Sequence, residues 1–110
     1  MANRATAKFL RVPPRKARLV ADLVRGRDAN EATAILKHTT HKSAKMIEKA
    51  IKSAVANMTS AGKVNVDALY VKEISIDAGP IIKRFTSRAM GRGARVNKRT
   101  SHVTVVLGER

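Results

Sequence analysis

The sequence predicts an α+β fold, with helices laid against an antiparallel sheet and a long basic β-hairpin extending from it. Three observations carry that prediction. Apolar residues recur at three- and four-residue spacing through the first sixty or so positions and switch to alternation after Gly62, the change of period expected between amphipathic helices and a half-buried sheet. No Asp or Glu occurs between Asp77 and Glu109. Within that gap, KRFTSRAMGRGARVNKRTSH (Lys83 to His102) holds seven Lys or Arg residues, is entered through IIKRF and is left through HVTVVL. Both flanks read as strand, so the segment is a ribbon rather than a tail. A chain of 110 residues is about one domain with a single modest core; the domain spans 1–110, with the hairpin at about 80–102.

The first twelve residues read as a basic strand or arm, in which Arg4, Lys8 and Arg11 are interleaved with Ala5, Ala7, Phe9 and Val12. Pro13 and Pro14 break it, and proline suits the first turn of a helix, where its missing N–H costs nothing. In RKARLVADLVRG, Leu19, Val20, Leu23 and Val24 form one apolar stripe. Arg15, Lys16, Arg18 and Arg25 fall largely outside it, and Gly26 ends the helix. Asp28 and Glu31 have the spacing of a capping box, and Ala32, Ile35 and Leu36 give a short second helix its apolar face.

From about residue 41 to 61, Ala44, Ile47, Ala50, Ile51, Ala54, Val55 and Met58 repeat on a helical period, with Gly62 where a C-terminal cap belongs. Lys42, Lys45, Lys49 and Lys52 occupy the exposed face of this longest helix. Alternation follows: Val64 and Val66, Leu69 and Val71, then Ile74 and Ile76. The phase shifts around Asp67-Ala68 and Lys72-Glu73 have the form of bulges. Ala78-Gly79-Pro80 is a turn signal, residues 81–85 resume strand composition, and Val103, Val105 and Leu107 mark a final strand. Taken as hairpin arms, residues 81–88 and 95–103 each project about 25 to 30 Å at about 3.3 Å per residue.

Function is bounded chiefly by charge. With 23 Lys and Arg against 8 Asp and Glu, the formal net charge is +15 and the isoelectric point near 11.4, far beyond what solubility alone favours. Such self-repulsion weakens a compact state unless a polyanion relieves it; nucleic acid is the commonest such partner, and a membrane surface or an acidic protein is the alternative. The segment MANRATAKFLRVPPRK has no apolar core of a leader, and no window approaches the roughly 18 apolar residues of a membrane span. A soluble, unsecreted protein is expected.

Only 3% of residues are aromatic, so the core should be aliphatic and thin, and the absence of Cys removes disulfides, thiolate metal sites and cysteine catalysis. His38 and His41 in HTTH could in principle share a metal, but with no carboxylate at ligand spacing they read as surface or helix-end residues. Tyr70, inside an aliphatic strand, reads as a packed side chain rather than a base-stacking platform. Gly91 to Gly93 is not a dinucleotide fingerprint, and neither a P-loop nor a nucleophile elbow is present. No cofactor and no enzyme activity are expected.

Residue by residue, the chain resembles the L-twenty-two family of bacterial large-subunit ribosomal proteins. The resemblance rests on Lys83, Arg88-Ala89-Met90-Gly91-Arg92 and His102-Val103 with Val105 and Leu107, and on PRKARLVADLVRG, EATAILKHT, AIKSAVANM and KRTSHVTVVL. It implies three helices packed on a small three-stranded antiparallel sheet, with a long protruding β-hairpin. It implies rRNA contacts from Lys83, Arg84, Arg88, Arg92, Arg95, Lys98 and Arg99 along the ribbon. Arg15, Lys16 and Arg18 would add contacts from the globular part, as would Arg4, Lys8 and Arg11 at the N-terminus. The tip, Arg88, Ala89, Met90, Gly91, Arg92, Gly93 and Ala94, would line the nascent-polypeptide exit tunnel. Implied partners are 23S-type rRNA, neighbouring large-subunit proteins and the nascent chain, in the cytoplasm, with no membrane partner and no homo-oligomer. The resemblance also implies that changes around residues 82–84 alter the response to macrolide antibiotics.

Overall fold

Alternation of Val103, Val105 and Leu107 with half-buried His102, Thr104 and Val106 gives the last strand one face for a core and one left open. The other elements assemble around it. The computed structural model describes residues 3–62, 65–87 and 93–109, and for 84–87 and 93–97 the backbone alone. In chain order the elements are β1 (Arg4–Leu10), α1 (Pro14–Val24), α2 (Ala29–Lys37), α3 (Lys42–Ala61), β2 (Leu69–Ala78), β3 (Ile82–Ser87), β4 (Gly93–Lys98) and β5 (Ser101–Glu109). β5 lies between β1 and β2, antiparallel to both, while β3 and β4 form a separate two-stranded ladder. The α+β fold of three helices on a three-stranded antiparallel sheet is therefore present, and the hairpin ladder stands apart from it. The molecule measures 63 × 27 × 16 Å.

The core is aliphatic, as the composition requires. Val20, Val24, Leu36, Ile47, Ile51, Leu69, Val71, Val103, Val105 and Leu107 are fully buried among small alanines, and among the described residues no aromatic side chain is buried with them. Tyr70 packs instead on the sheet: a Cβ at Gly108, its cross-strand partner, would lie 2.7 Å from the Tyr70 ring. Only a glycine leaves that ring its place.

Other parts of the chain bond to both edges of the sheet, most of all to that of β2. On β2, the carbonyl of Ile76 accepts hydrogen bonds from Nε and Nη2 of Arg18, at 3.3 and 3.0 Å. The carbonyl of Ile74 accepts one from Nη2 of Arg25 at 2.9 Å. Gly26 N–H donates to the Val71 carbonyl and Val71 N–H to the Arg27 carbonyl; Gly26 turns the chain for this at φ +81°, in the left-handed region that glycine tolerates. On β1, Nδ2 of Asn57 donates to the Arg4 carbonyl. Unpaired edge groups would otherwise template association with another chain.

The structure corrects several local expectations. The stripe of α1 is made by Ala17, Val20, Ala21 and Val24, whereas Leu19 and Leu23 are exposed. Asp28 makes no side-chain cap bond, and Glu31 pairs with Arg27 at 2.9 Å, so the capping box does not form. Gly62 ends α3 in extended backbone, φ 170°, rather than in a left-handed cap. Val66 belongs to a 3-10 turn (Val66–Ala68), not to a strand, and Val64 lies outside the described residues. The phase shift at Lys72-Glu73 is a register shift, with Val71 opposite Leu107 and Glu73 opposite Val106. One extra residue on β2 there moves the core face from Leu69 and Val71 to Ile74 and Ile76.

Candidate nucleic-acid interface

The hairpin register places every cation of its two strands opposite an uncharged residue. Lys98 faces Ile82, Lys83 faces Asn97, Arg84 faces Val96, and Arg95 faces Phe85. Like charges directly opposite would destabilise the pair, so this register lets a two-stranded ribbon carry dense positive charge. Each strand has six residues, about 20 Å at about 3.3 Å per residue, shorter than the arms expected from the sequence. The second arm ends sooner because the chain breaks at Arg99-Thr100 before entering β5.

That break anchors the ribbon. Thr100 is buried and its hydroxyl donates to the Pro80 carbonyl at 2.6 Å, while Gly79 N–H donates to the Thr100 carbonyl at 2.9 Å. A Cβ on Gly79 would lie 2.5 Å from Thr100 Oγ1 and 3.2 Å from the His102 ring, so the two chains pass at a distance only glycine permits. Next to it, Oγ of the fully buried Ser101 donates to the Val12 carbonyl. The hairpin root is thus tied to both β2 and the segment leading into α1.

A cleft of about 510 Å³ opens at this root, lined by Arg11, Pro13, Lys42, Ile82, Lys98, Arg99 and Thr100. Among the described residues, four cations from three distant parts of the chain meet there and no carboxylate lines it. Among the described residues the ion pairs are Arg25–Asp22, Arg27–Glu31 and Lys52–Glu48, none of which involves a cleft residue. The helices α1 and α3 begin beside the cleft without an acid in the first turn of either, so the positive ends of their dipoles add to the side-chain charge. The chemistry suits a chain of phosphates, which such cations neutralise with release of counterions.

The site residues named from sequence are distributed as follows. Arg11, Lys98 and Arg99 line the cleft. Arg4, Lys8, Arg15, Lys16 and Lys83 are exposed. Arg18 is exposed but its guanidinium is bonded to the Ile76 carbonyl, which gives it a structural role of its own. Arg84 and Arg95 are placed by backbone register alone, and so are Gly93 and Ala94 of the expected tip; Arg88, Ala89, Met90, Gly91 and Arg92 lie outside the described residues. Lys42 was not singled out from sequence. Its signal, one lysine among several on the exposed face of α3, does not distinguish it until the fold brings it to the hairpin root, where Nζ donates to the Arg11 carbonyl at 3.4 Å.

Other chemistries find no support among the described residues. His38 ends α2 and His41 precedes α3, both exposed, and no group of three or more potential metal ligands occurs there. No helix there is long and apolar enough to cross a membrane.

Comparison of the sequence with known proteins points to a family. A family model described as ribosomal protein L22p/L17e matches residues 5–108. A protein of Geobacter metallireducens named large ribosomal subunit protein uL22 is 52% identical over 110 residues, with all of both chains covered. The proteins of the same name from Geobacter sulfurreducens and Syntrophobacter fumaroxidans are 49% and 50% identical over 110 residues, covering all of this chain and 99% and 100% of theirs.

Proposed function

The chain belongs to the ribosomal protein L22p/L17e family, and from that premise we propose that it is a structural rRNA-binding component of the large ribosomal subunit. It is not an enzyme; its work is architectural. The observation that carries the proposal is full-length identity near 50% to proteins named as uL22 of that subunit, joined to a net charge of +15.

In this reading the globular part sits on the subunit and engages rRNA through Arg4, Lys8, Arg11, Arg15 and Lys16, with Arg18 divided between RNA and the edge of β2. The ribbon carries Lys83, Arg84, Arg88, Arg92, Arg95, Lys98 and Arg99 along rRNA. The segment 88–94 lines the nascent-polypeptide exit tunnel, with glycines that permit tight backbone geometry. Contacts from both parts bridge several rRNA domains and support early assembly of the subunit in the cytoplasm. A general physical argument and one structural observation favour this division. Two-stranded ribbons are marginal alone in water, and here the root is fixed by Gly79, Thr100 and Ser101, so a rigid base presents a charged arm to a negatively charged wall.

Mass spectrometry of high-salt-washed large subunits tests the reading. The chain is expected at one copy per subunit, and its absence from washed subunits would sink the proposal.

A further inference from the structure

Among the described residues, Phe9 is the one large hydrophobic side chain of the three-stranded sheet that stands exposed. The residue is 62% exposed, and at φ 58° it is the only non-glycine residue with positive φ among those described. A bulky side chain is a rare occupant of that region, and such backbone outliers concentrate at functional sites.

The cause is a bulge. Ala7 pairs with Val103 and Leu10 with Ser101, so β1 has one residue more than β5 in this interval. The extra residue leaves a backbone N–H outside the ladder, and that N–H, of Phe9, donates to Nδ1 of His102 at 3.0 Å. The two rings meet edge to face with centroids 5.0 Å apart. His102 stands on the sheet face opposite the helices, since Ser101 and Val103 on either side of it are buried. Its far side lies against Gly79, where a Cβ would come within 3.2 Å of Cε1 and Nε2. The Phe9 backbone is therefore held by a hydrogen bond and its ring by a buttressed imidazole, while the residue as a whole stays largely exposed to solvent.

We propose that the exposed ring of Phe9 is a stacking platform for an unpaired RNA base, a proposal that rests on the rRNA-binding reading and gives that interface a contact that is not electrostatic. An aromatic face accepts any base, because every base has a π-face. Lys8 adjoins it in sequence and Arg11 lies two residues on, placing cations for the flanking phosphates. The carboxylate of Asp77 is one strand further away, opposite His102 on β2. Covering an internal core is excluded as the ring's purpose by its exposure.

The chain contains no Trp, so Phe9→Trp introduces a sole indole that retains the stacking face. The experiment titrates this variant with protein-free large-subunit rRNA, following RNA retention on filters and indole emission together. Filter binding at wild-type affinity with quenched emission at saturation is the expected result. In parallel, Phe9→Leu, which keeps apolar bulk without an aromatic face, should weaken binding about ten-fold and Phe9→Tyr should not, within the range for loss of one stacked base. Binding with unquenched emission, or equal affinity for the Leu and Tyr variants, overturns the platform and leaves the rRNA reading standing. Absence of RNA retention by the unmodified chain overturns both.

Discussion

Nη2 of Arg25, the residue that caps the end of α1, donates a hydrogen bond to the carbonyl oxygen of Ile74 on β2, 2.9 Å away, and Arg18, two turns earlier, does the same for Ile76. Two cations in a protein of large positive charge thus serve the fold by closing the free edge of its sheet. Removing either leaves a strand carbonyl without its partner and without full access to water. Arg18→Ala and Arg25→Ala should each lower the unfolding free energy by about 1–2 kcal/mol. Because they bond different carbonyls, the double variant should be close to the sum. Urea denaturation midpoints with unchanged slope check both statements.

The hairpin root supplies a second prediction. Gly79→Ala would place a methyl group 2.5 Å from Thr100 Oγ1, which could withdraw only by breaking its bond to the Pro80 carbonyl. A loss of about 1–3 kcal/mol is expected, the range for overpacking. Adding Thr100→Ala removes the clashing oxygen, so the double variant should be less unstable than the two single losses summed. A thermal-denaturation double-mutant cycle measures that coupling.

Ser101 is fully buried with its hydroxyl bonded to the Val12 carbonyl. Ser101→Ala strips that carbonyl of its donor while leaving the volume nearly unchanged. A cost of about 1–3 kcal/mol follows from the unsatisfied acceptor, whereas Ser101→Thr, which keeps the donor, should lose stability only through its added methyl. Chemical denaturation of the two variants separates hydrogen bonding from bulk.

For the cleft, Lys42→Ala and Arg99→Ala should weaken rRNA binding and each reduce the slope of log affinity against log salt by about 0.7–0.9. Lys52→Ala, which removes a lysine paired with Glu48 at 3.0 Å and outside the cleft, should change the slope less. Filter binding across a salt series gives all three slopes.

How much of this was legible in the sequence varies with the range of the forces involved. The helix α3 was readable to within a residue because its apolar period extends over twenty residues, and the Lys72-Glu73 bulge because a slip of one residue must move the core face. Leu19 and Leu23 misled because hydrophobicity outranks size in a stripe, while this thin core admits Ala17 and Ala21 where α1 meets its neighbours. The Asp28-Glu31 cap failed because Arg27, four residues before Glu31, competes for its carboxylate. Arg11, Lys98 and Arg99 were singled out by their charge and by the family resemblance; Lys42 and the Phe9–His102 pair needed tertiary contacts that no local pattern encodes.

In the proposed role, rRNA binds the ribbon and its root. Ultraviolet cross-linking of intact large subunits, with nucleotide-bearing peptides identified by mass spectrometry, tests it most directly. Cross-links from the hairpin strands containing Lys83 and Lys98 and from the peptides of Arg11 and Lys42 are the predicted result. Hairpin peptides free of nucleotide in subunits that contain the chain would contradict it.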